Sequence, residues 1–458
     1  MVSKSENNKS LASRVVTAGS WAMAGFVFSQ VFRLVSNLVM TRLLVPEMFG
    51  VMALAQVFLY IMTLISDIGI KPSIIRSERG EEPLFLNTAW TVGIFRGLVI
   101  TCLVLATSFG IKFLNDIGVF SQGSAYTSPQ LPLIIAVMSL TTLISSFSST
   151  KIILAGRRLL LGRVTLIDLI SQVLGILVMV CWAFFIERNI WALVSGALIT
   201  SLVGVVLSHT AFPGIKNRFA WDKSAFWEIF HFGKWVLASS IISAILAQGD
   251  RLLLGNFLTA ETLGIYAIAF FLASSVKQAI FKLNSMVFFP LFSEINRGKK
   301  DNMANIYYRI RQKSDALTMT IAGVLFISGE KIVEFLFDDR YLNAGWMLSI
   351  LSFSLLLTGP IISGALFLAI DKPKYVSLMS ACETFFLLGG VFLVLMISGF
   401  EWAIWVIALY SLGAIPLDYY YKHKLGILNV FKEIHMLPIF FVGCLLGMIF
   451  NYCIGFVL

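Results

Sequence analysis

Five basic side chains lie inside long stretches of otherwise apolar sequence, and their chemistry suits an anion-binding site. They are Arg33, Arg96, Arg251, Lys277 and Lys282. A charge at the centre of a lipid bilayer costs about 2.5 kcal/mol or more, so each of them needs a functional or structural reason to be there. Arginine offers a planar fork that matches phosphate oxygens, and lysine offers a compact positive charge. We predict that these side chains attract an anionic ligand.

Polar residues accompany these cations at helical spacing, so that whole helix faces avoid lipid. Near Arg33 the polar residues are Gln30, Asn37 and Thr41, at steps of three and four. Near Arg251 the small and polar residues are Ser240, Ser243, Ala247 and Asp250, and near the two lysines they are Ser274, Gln278, Asn284 and Ser285. Residues three or four apart share one face of a helix. These faces are predicted to line a water-accessible cavity with a net positive charge.

Acidic residues in the apolar stretches are Asp168, Asp250 and Glu383. Asp250 allows two interpretations, since it either neutralises Arg251 beside it or binds a coupling ion or proton. Lys282 also allows two: it either faces the ligand or extends its ammonium group to the cytoplasmic interface.

The elements that must hold these side chains are predicted to be membrane-spanning helices. A span needs about 20 mostly apolar residues to cross a hydrocarbon layer of about 30 Å, and 58% of the 458 residues are hydrophobic. The qualifying stretches are 17–41, 48–68, 85–110, 131–154, 164–186, 190–211, 235–256, 262–289, 314–337, 345–370, 375–398, 401–421 and 436–458. The connections between them are too short for a separate soluble domain. The sequence therefore predicts an all-α membrane protein with about 12–13 transmembrane helices.

The distribution of lysine and arginine predicts a cytoplasmic N-terminus. With that orientation most basic residues fall in cytoplasmic connections, and the opposite side holds only Arg42, Lys112, Arg188 and Arg340. This asymmetry satisfies the positive-inside rule. The net charge of +10 thus reflects topology and does not indicate nucleic-acid binding. The basic residues of the connection 290–313 are expected to lie against anionic lipid headgroups; they are Arg297, Lys299, Lys300, Arg309, Arg311 and Lys313.

Neither the cysteines nor the histidines show the spacing of a metal site. Cys102, Cys181, Cys382, Cys444 and Cys453 all lie in apolar spans, where cysteine behaves as a small hydrophobic residue. His209, His231, His423 and His435 are scattered near span ends. We expect no disulfide, no metal and no cofactor.

A short segment of the chain occurs twice. Residues 42–55 match residues 256–269, with identical pairs at Leu44/Leu258, Glu47/Glu261, Gly50/Gly264, Ala53/Ala267 and Ala55/Ala269. Each copy joins the first two spans of a six-span block, and the blocks have the same orientation. Parallel repeats of this kind place a substrate site at their interface. The predicted division is an N-terminal lobe (1–212), a C-terminal lobe (213–421) and an extra hydrophobic segment (422–458), with both lobes around a central cavity.

Three motifs carry a family resemblance. They are Arg42-Leu-Leu-Val-Pro-Glu-Met-Phe-Gly50, Ser66-Asp-Ile-Gly-Ile70, and Asn284-Ser-Met-Val-Phe-Phe-Pro290. The sequence resembles the polysaccharide-transporter branch of the multidrug/oligosaccharidyl-lipid/polysaccharide exporter superfamily from about residue 10 to 420. Members usually have twelve or fourteen helices, so 436–458 is interpreted as a re-entrant hairpin, an unpaired span or the remnant of a lost pair.

The resemblance implies a flippase of the bacterial inner membrane. It implies that two lobes alternate in access and carry an undecaprenyl-pyrophosphate-linked oligosaccharide to the outer leaflet. The five basic residues would then attract the pyrophosphate or acidic sugars. The expected partners are this lipid-linked substrate, membrane lipids and polysaccharide-assembly proteins, whereas the oligomeric state is not readable from the sequence.

Two other functions remain open at this point. A drug/cation antiporter of the same superfamily would favour acidic residues in the cavity, whereas basic ones predominate here. A membrane-embedded O-antigen polymerase or ligase would need an active site outside the bilayer, where the connections are short. An ATP-driven pump is disfavoured because the chain lacks a glycine-rich loop ending in Gly-Lys-Ser/Thr.

Helices are also expected to bend at Gly359-Pro360 and at Pro416, since proline removes a backbone hydrogen bond.

Overall fold

The computed structural model describes residues 11–158, 160–298 and 303–455, and in these ranges the chain forms helices joined by turns. The helices of the first half are α1 (Leu11–Leu43), α2 (Pro46–Ile65), α3 (Ile70–Arg76), α4 (Pro83–Asp116), α5 (Leu131–Ser146), α6 (Lys151–Arg157), α7 (Leu161–Phe185), α8 (Trp191–Thr210) and α9 (Lys223–Phe257). Those of the second half are α10 (Ala260–Leu283), α11 (Phe289–Gly298), α12 (Met303–Leu336), α13 (Ala344–Leu351), α14 (Gly359–Ala369), α15 (Pro373–Ile397), α16 (Phe400–Leu409), α17 (Ile415–Lys424), α18 (Val430–Ile434) and α19 (Ile439–Ile454).

Eleven helical segments of the described chain are long and apolar enough to cross a bilayer. A twelfth span results if α5 and α6, which are bent by 64°, form one broken span. The predicted all-α membrane class is confirmed. The stretch 235–256 lies in α9, which is not among the eleven, and several side chains between 232 and 239 lie outside the described residues.

The chain divides into two compact units. Unit 1 contains the residues up to 43 together with 55–119 and 129–241, and unit 2 contains 44–54, 120–128 and 242 onward. The start of α2 therefore belongs to unit 2 and the rest of that helix to unit 1. The division into two six-helix lobes stays a prediction.

Proline-linked interruptions occur where they are predicted. A turn of 3₁₀-helix, Ser352–Leu357, separates α13 from α14, which begins at Gly359 with Pro360 in its first turn. A second turn of 3₁₀-helix, Tyr410–Ala414, precedes α17, which carries Pro416 in its first turn. A π-helical turn, Asn284–Phe288, lies just before Pro290. A π-turn is a known response to strain in the hydrogen-bond ladder of a long helix.

The C-terminal segment packs closely on α12 through small residues. A side chain on Gly323 would collide with the carbonyl oxygen of Phe440, and one on Gly443 with that of Thr320. The Ser328 hydroxyl also donates to the carbonyl oxygen of Gly447 over 2.9 Å. Small residues at such positions allow two helices to approach closely inside a membrane. Helices α18 and α19 together form the candidate span Val430–Ile454.

A polar cluster in unit 1 fixes the connection that precedes α9. Arg79 binds Glu82 over 2.9 Å and Asp222 over 2.8 Å, and it also donates to the Ser224 hydroxyl. The hydrogen bond from the Arg79 guanidinium lowers the pKa of Asp222 to about 2, helped by hydrogen bonds from Ser224. Asp222 therefore stays ionised at any physiological pH, and the ion pair persists.

Both copies of the repeated segment form the same turn and meet each other inside unit 2. In the first copy α1 ends at Leu43 and α2 begins at Pro46, while in the second α9 ends at Phe257 and α10 begins at Ala260. A side chain on Gly50 would collide with the carbonyl oxygen of Ala260. Reciprocally, one on Gly264 would collide with the carbonyl oxygen of Pro46, the residue equivalent to Ala260. This exchange of equivalent contacts supports the duplication.

We predict that Gly50→Ala and Gly264→Ala each destabilise the fold. Each added methyl group meets backbone, which cannot move aside as a side chain can, and overpacking of this kind costs about 1–3 kcal/mol. Thermal unfolding of the purified protein in detergent would show the loss. Gly110→Ala is the matched control, because a side chain there meets nothing within 4 Å. Equal melting temperatures for all three variants would contradict the close crossing.

Candidate functional site

A cavity of about 540 Å³ opens within unit 1, at the level where α2 ends. Its walls come from the end of α2, from α3 and α4, and from the broken helix pair α5–α6. The residues that line it are Thr63, Leu64, Asp67, Ile70, Lys71, Ala89, Trp90, Gly93, Arg96, Gly97, Ile100, Thr141, Thr142, Ser145, Ser146, Ser148, Thr150 and Ile153. One of the predicted basic residues, Arg96, is among them.

One wall of this cavity is formed by hydroxyl groups. Thr141, Thr142, Ser145 and Ser146 recur at helical spacing on α5 and so face the same side. Thr141 donates to the carbonyl oxygen of Met138 over 2.6 Å, and Thr142 donates to that of Ser139 over 2.7 Å. A hydroxyl that donates to its own helix keeps oxygen lone pairs with which to accept from a ligand. The wall therefore suits a ligand that is rich in hydroxyl groups.

Arg96 is held in place by the end of α2. Its Nε donates to the carbonyl oxygen of Ser66 over 2.8 Å, and its Nη2 donates to that of Thr63 over 2.7 Å. The last carbonyl groups of a helix lack partners within the helix, so a guanidinium there satisfies them and offsets their partial negative charge. Asp67 lies 4.0 Å from Nη2. Arg96 Nη1 forms no hydrogen bond with any described residue and is available to a ligand.

An aromatic side chain and a second cation complete the cavity. The indole N–H of Trp90 donates to the carbonyl oxygen of Phe147 over 3.3 Å, and the ring packs at 5.1 Å from that of Phe219. Lys71 is exposed at the first turn of α3 and lines the same cavity. The cavity thus combines a guanidinium group, hydroxyl acceptors and a flat apolar ring.

The other predicted basic residue of unit 1 lies outside this cavity lining. Arg33 is exposed on α1, and its Nη1 lies 3.4 Å from the side-chain oxygen of Gln30. Gln30 is one of the polar residues predicted to share its helix face. Neither residue is among those that line the cavity around Arg96.

Asp250 and Arg251 make separate contacts within unit 2. The phenolic hydroxyl of Tyr266 donates to the buried carboxylate of Asp250 through a short hydrogen bond. Arg251 donates to the side-chain oxygen of Gln248 over 2.8 Å and lies over the ring of Phe270 at 4.5 Å. Among the described residues, no salt bridge joins Asp250 to Arg251.

The two predicted lysines of α10 differ in their surroundings. Lys277 donates to the hydroxyl of Tyr410 over 3.1 Å, and its ammonium group lies 4.7 Å from the centre of that ring. Lys282 lies in the last turn of α10 and is partly exposed.

A buried charge cluster in unit 2 is absent from the sequence-based predictions. It consists of Arg311, Asp315, Asp418, Lys422 and Glu433. The expectation that Arg311 lies against lipid headgroups is wrong, since its side chain is 8% exposed and forms ion pairs with Asp315 and Glu433. Of the other residues in that expectation, Lys299 and Lys300 lie outside the described residues, as does the side chain of Arg297.

The hydroxyl wall was also missed, although the sequence carried a signal for it. Seven serine and threonine residues fall between positions 141 and 150, at the end of a predicted span. Serine and threonine are tolerated in transmembrane helices because they bond to the preceding turn, so their density alone does not reveal a cavity. Within the described ranges, no group of three or more histidine, cysteine or acidic residues is arranged to hold a metal ion.

Comparisons with known proteins give a family and a fold. A profile of the family described as "Polysaccharide biosynthesis protein" matches residues 39–346. The chain is 22% identical over 336 residues to the lipopolysaccharide biosynthesis protein WzxC of Escherichia coli K12. The aligned region covers 72% of this chain and 65% of that protein. It therefore spans slightly less than two thirds of the length of this curated relative.

Solved structures share the architecture at low sequence identity. The lipid II flippase MurJ in an inward closed conformation aligns with a TM-score of 0.67 at 14% identity, over 94% of this chain and 92% of that one. An inward-facing multidrug resistance MATE family transporter of the MOP superfamily aligns with a TM-score of 0.65 at 12% identity, over 87% and 94% of the two chains. At such identities the likeness concerns the fold alone.

We predict that the cavity around Arg96 is filled with water. After replacement of the native cysteines, Ser145→Cys should react with a charged, membrane-impermeant thiol reagent, because a thiolate needs an aqueous environment to form. Leu140→Cys is the matched control: Leu140 lies on the same helix, is 42% exposed and does not line the cavity. Labelling at Ser145→Cys should be at least several-fold faster. Equal and slow labelling at both positions would mean that the cavity is dry.

Proposed function

This chain belongs to the polysaccharide biosynthesis protein family, and from that premise we propose that it is a flippase for lipid-linked oligosaccharides. Its substrate would be an undecaprenyl-pyrophosphate-linked polysaccharide repeat unit, carried across the bacterial inner membrane by alternating access. The N-terminus would lie in the cytoplasm, which the distribution of basic residues favours. The chain would act as a transporter without catalytic residues or a cofactor.

The observation that supports this proposal best is the cavity around Arg96. A lipid-linked glycan presents negatively charged phosphate and many hydroxyl groups, and this cavity offers a fixed guanidinium beside a wall of hydroxyls. Two nitrogens of Arg96 are bound to carbonyl oxygens at the end of α2, so the guanidinium is already oriented before a ligand arrives. Less conformational entropy is therefore lost when the ligand binds. Trp90 provides a flat surface on which the apolar face of a sugar ring can pack.

The remaining basic residues would raise the positive potential along the path of the substrate. Arg33, Arg251, Lys277 and Lys282 each lie on a helix of an apolar span or at its end, and each is expected to attract the pyrophosphate or acidic sugars. Asp250 is expected to take part in ion coupling or to fix Tyr266. Membrane lipids and polysaccharide-assembly proteins are the expected partners.

The two alternatives fit the cavity less well. A drug/cation antiporter requires carboxylates that face the cargo, but Asp67 is the only acidic residue among those that line this cavity and it lies beside Arg96. A polymerase or ligase requires catalytic groups outside the bilayer, where the connections between the described helices are short. The fold alone does not separate these functions, since both drug transporters and a lipid flippase share it.

The deciding experiment is a deletion in the native host. The flippase proposal expects loss of surface polysaccharide and accumulation of the lipid-linked intermediate in the inner leaflet. Single repeat units trapped on the outer leaflet would indicate a polymerase or ligase. Drug hypersensitivity with normal polysaccharide would indicate an antiporter.

We predict that Arg96→Gln abolishes complementation of this deletion, with polysaccharide reduced at least tenfold. The loss of one charge-assisted hydrogen bond to a phosphate corresponds to about 1.5–3 kcal/mol, or about a tenfold to a hundredfold change in affinity. Lys112→Gln is the matched control, since Lys112 is exposed near the end of the same helix. Membrane levels of both variants are measured by immunoblot. Full export by Arg96→Gln at normal levels would remove Arg96 from the site.

We also predict that Arg33→Ala abolishes complementation while the protein inserts at normal levels. Arg33 is exposed, and its hydrogen bond with Gln30 lies within the same helix, so we expect the variant to insert normally. Gln30→Ala serves as the comparison, since it removes a neighbouring polar group without removing charge. Wild-type polysaccharide from Arg33→Ala would exclude Arg33 from the substrate path.

A further inference from the structure

We infer that the buried charge cluster of unit 2 is a binding site for one proton. Arg311, Asp315, Asp418, Lys422 and Glu433 form this cluster, and all five side chains are at least nine-tenths buried. They lie in three different candidate spans: Met303–Leu336, Phe400–Lys424 and Val430–Ile454. The inference concerns proton binding by the folded protein and stands independently of the cargo.

The two cations of the cluster bind its carboxylates and share a contact with the hydroxyl of Tyr307. Lys422 Nζ lies 2.7 Å from Asp418, 2.6 Å from Glu433 and 3.4 Å from the hydroxyl of Tyr307. An ammonium group has three donors, so this one is saturated. Arg311 donates through Nε to Asp315 over 3.0 Å and through Nη1 to Tyr307 over 3.1 Å, and it forms an ion pair with Glu433.

The carboxylates, in contrast, are not fully satisfied. Asp315 Oδ1 and Asp418 Oδ1 are buried and have no hydrogen-bond partner among the described residues. The side chains of Asp315 and Asp418 are each only 1% exposed. An ionised carboxylate that is buried with one oxygen lacking a donor is costly, because the solvation of that oxygen is lost without compensation. A proton bound to that oxygen removes the charge that causes the cost.

The count of charges leads to the same conclusion. Two cations against three carboxylates leave one negative charge in excess. An uncompensated charge in a low-dielectric interior is strongly unfavourable, and a buried group then changes its protonation state instead. One proton on Asp315 or Asp418 makes the cluster neutral.

The groups around the cluster do not supply the missing positive charge. Tyr307 and Tyr308 of α12 and Tyr419 of α17 face it as neutral phenols, and Ser363 of α14 contacts the hydroxyl of Tyr307. Lys432 of α18 is a further cation, and its ammonium lies over the ring of Tyr308 at 5.4 Å. Glu383 of α15 interacts electrostatically with Asp418 and also with Lys277, so this pair adds no net positive charge to the cluster. Within the described chain, Lys432 forms no salt bridge with the three carboxylates.

Other charged residues of the same helices point away from the cluster. Arg309 and Lys313 of α12 are exposed, as are His423 and Lys424 of α17. Glu433 is the member that joins α18, and thereby the C-terminal segment, to α12 and α17. The protonation state of the cluster therefore bears on the docking of that segment.

Asp315→Asn and Asp418→Asn test the inference, because each makes the cluster neutral without a proton. In the wild-type protein the folded state keeps this proton at a pH at which the unfolded chain has already lost it. Stability should therefore fall as the pH rises toward the pH at which the folded protein releases the proton, and should level off above that pH. A proton that only the folded state binds changes the folding equilibrium about tenfold per pH unit. Thermal unfolding in detergent between about pH 6 and about pH 9 should show this alkaline decline in the wild type and not in the two variants.

Infrared spectroscopy provides the direct readout. The wild-type protein at neutral pH should show the carbonyl stretch of one more protonated carboxyl group than either variant, and this band should disappear at alkaline pH. Glu334→Gln is the matched control, since Glu334 lies on the same helix in an exposed ion pair with Lys331. That variant should keep both the band and the alkaline decline. If the asparagine variants fail to insert, the disappearance of the band in the wild-type protein at the pH at which its decline levels off still decides the matter.

Three results would overturn the inference. One is an identical pH dependence in the wild type and both asparagine variants. Another is the same protonated-carboxyl signal in all three proteins, or a wild-type band that persists above the pH at which the decline levels off. The third is a rescue of alkaline stability by sodium chloride but not by choline chloride, which would assign the site to a metal cation in place of a proton.

Discussion

The structure depends on one constraint, which is that polar and charged groups inside apolar helices must find partners within the protein. No water is available in the hydrocarbon layer to take their place. Arg96 meets the constraint by binding the free carbonyl groups at the end of α2, and Lys277 meets it with the hydroxyl and ring of Tyr410. The buried charge cluster meets it only in part. Two sites therefore keep an unmatched group among the described residues. In the cavity it is Nη1 of Arg96, which forms no hydrogen bond, and in the buried charge cluster it is one excess negative charge.

The helical architecture follows from local sequence, and so the sequence predicts it well. Runs of apolar residues define the spans, and Gly359-Pro360 and Pro416 coincide with interruptions because a proline ring has a local steric effect. The resemblance to polysaccharide transporters also rests on short motifs and is confirmed by the family match. Features of this kind need no knowledge of how distant segments pair.

The sites themselves depend on pairing that is not local, and there the sequence predicts less. Tyr308 and Glu433 meet although they are 125 residues apart in the chain. From the sequence, Arg311 is simply one of several basic residues in a polar connection, and the expectation that it contacts lipid followed from that neighbourhood. Arg96 was identified as a candidate because a charge in an apolar stretch is conspicuous in any sequence. The roles of Arg33, Arg251, Lys277, Lys282 and Asp250 stay predictions.

Gly50 and Gly264 give the predicted duplication a geometric consequence. Each excludes a side chain because of the backbone of the other copy, and the two exclusions are equivalent under the repeat. Under that prediction, a single-copy ancestor would have placed this glycine against its own counterpart in a second molecule, as in a symmetric homodimer. Fusion would then have turned self-association into an internal contact that still leaves no room for a side chain at either position.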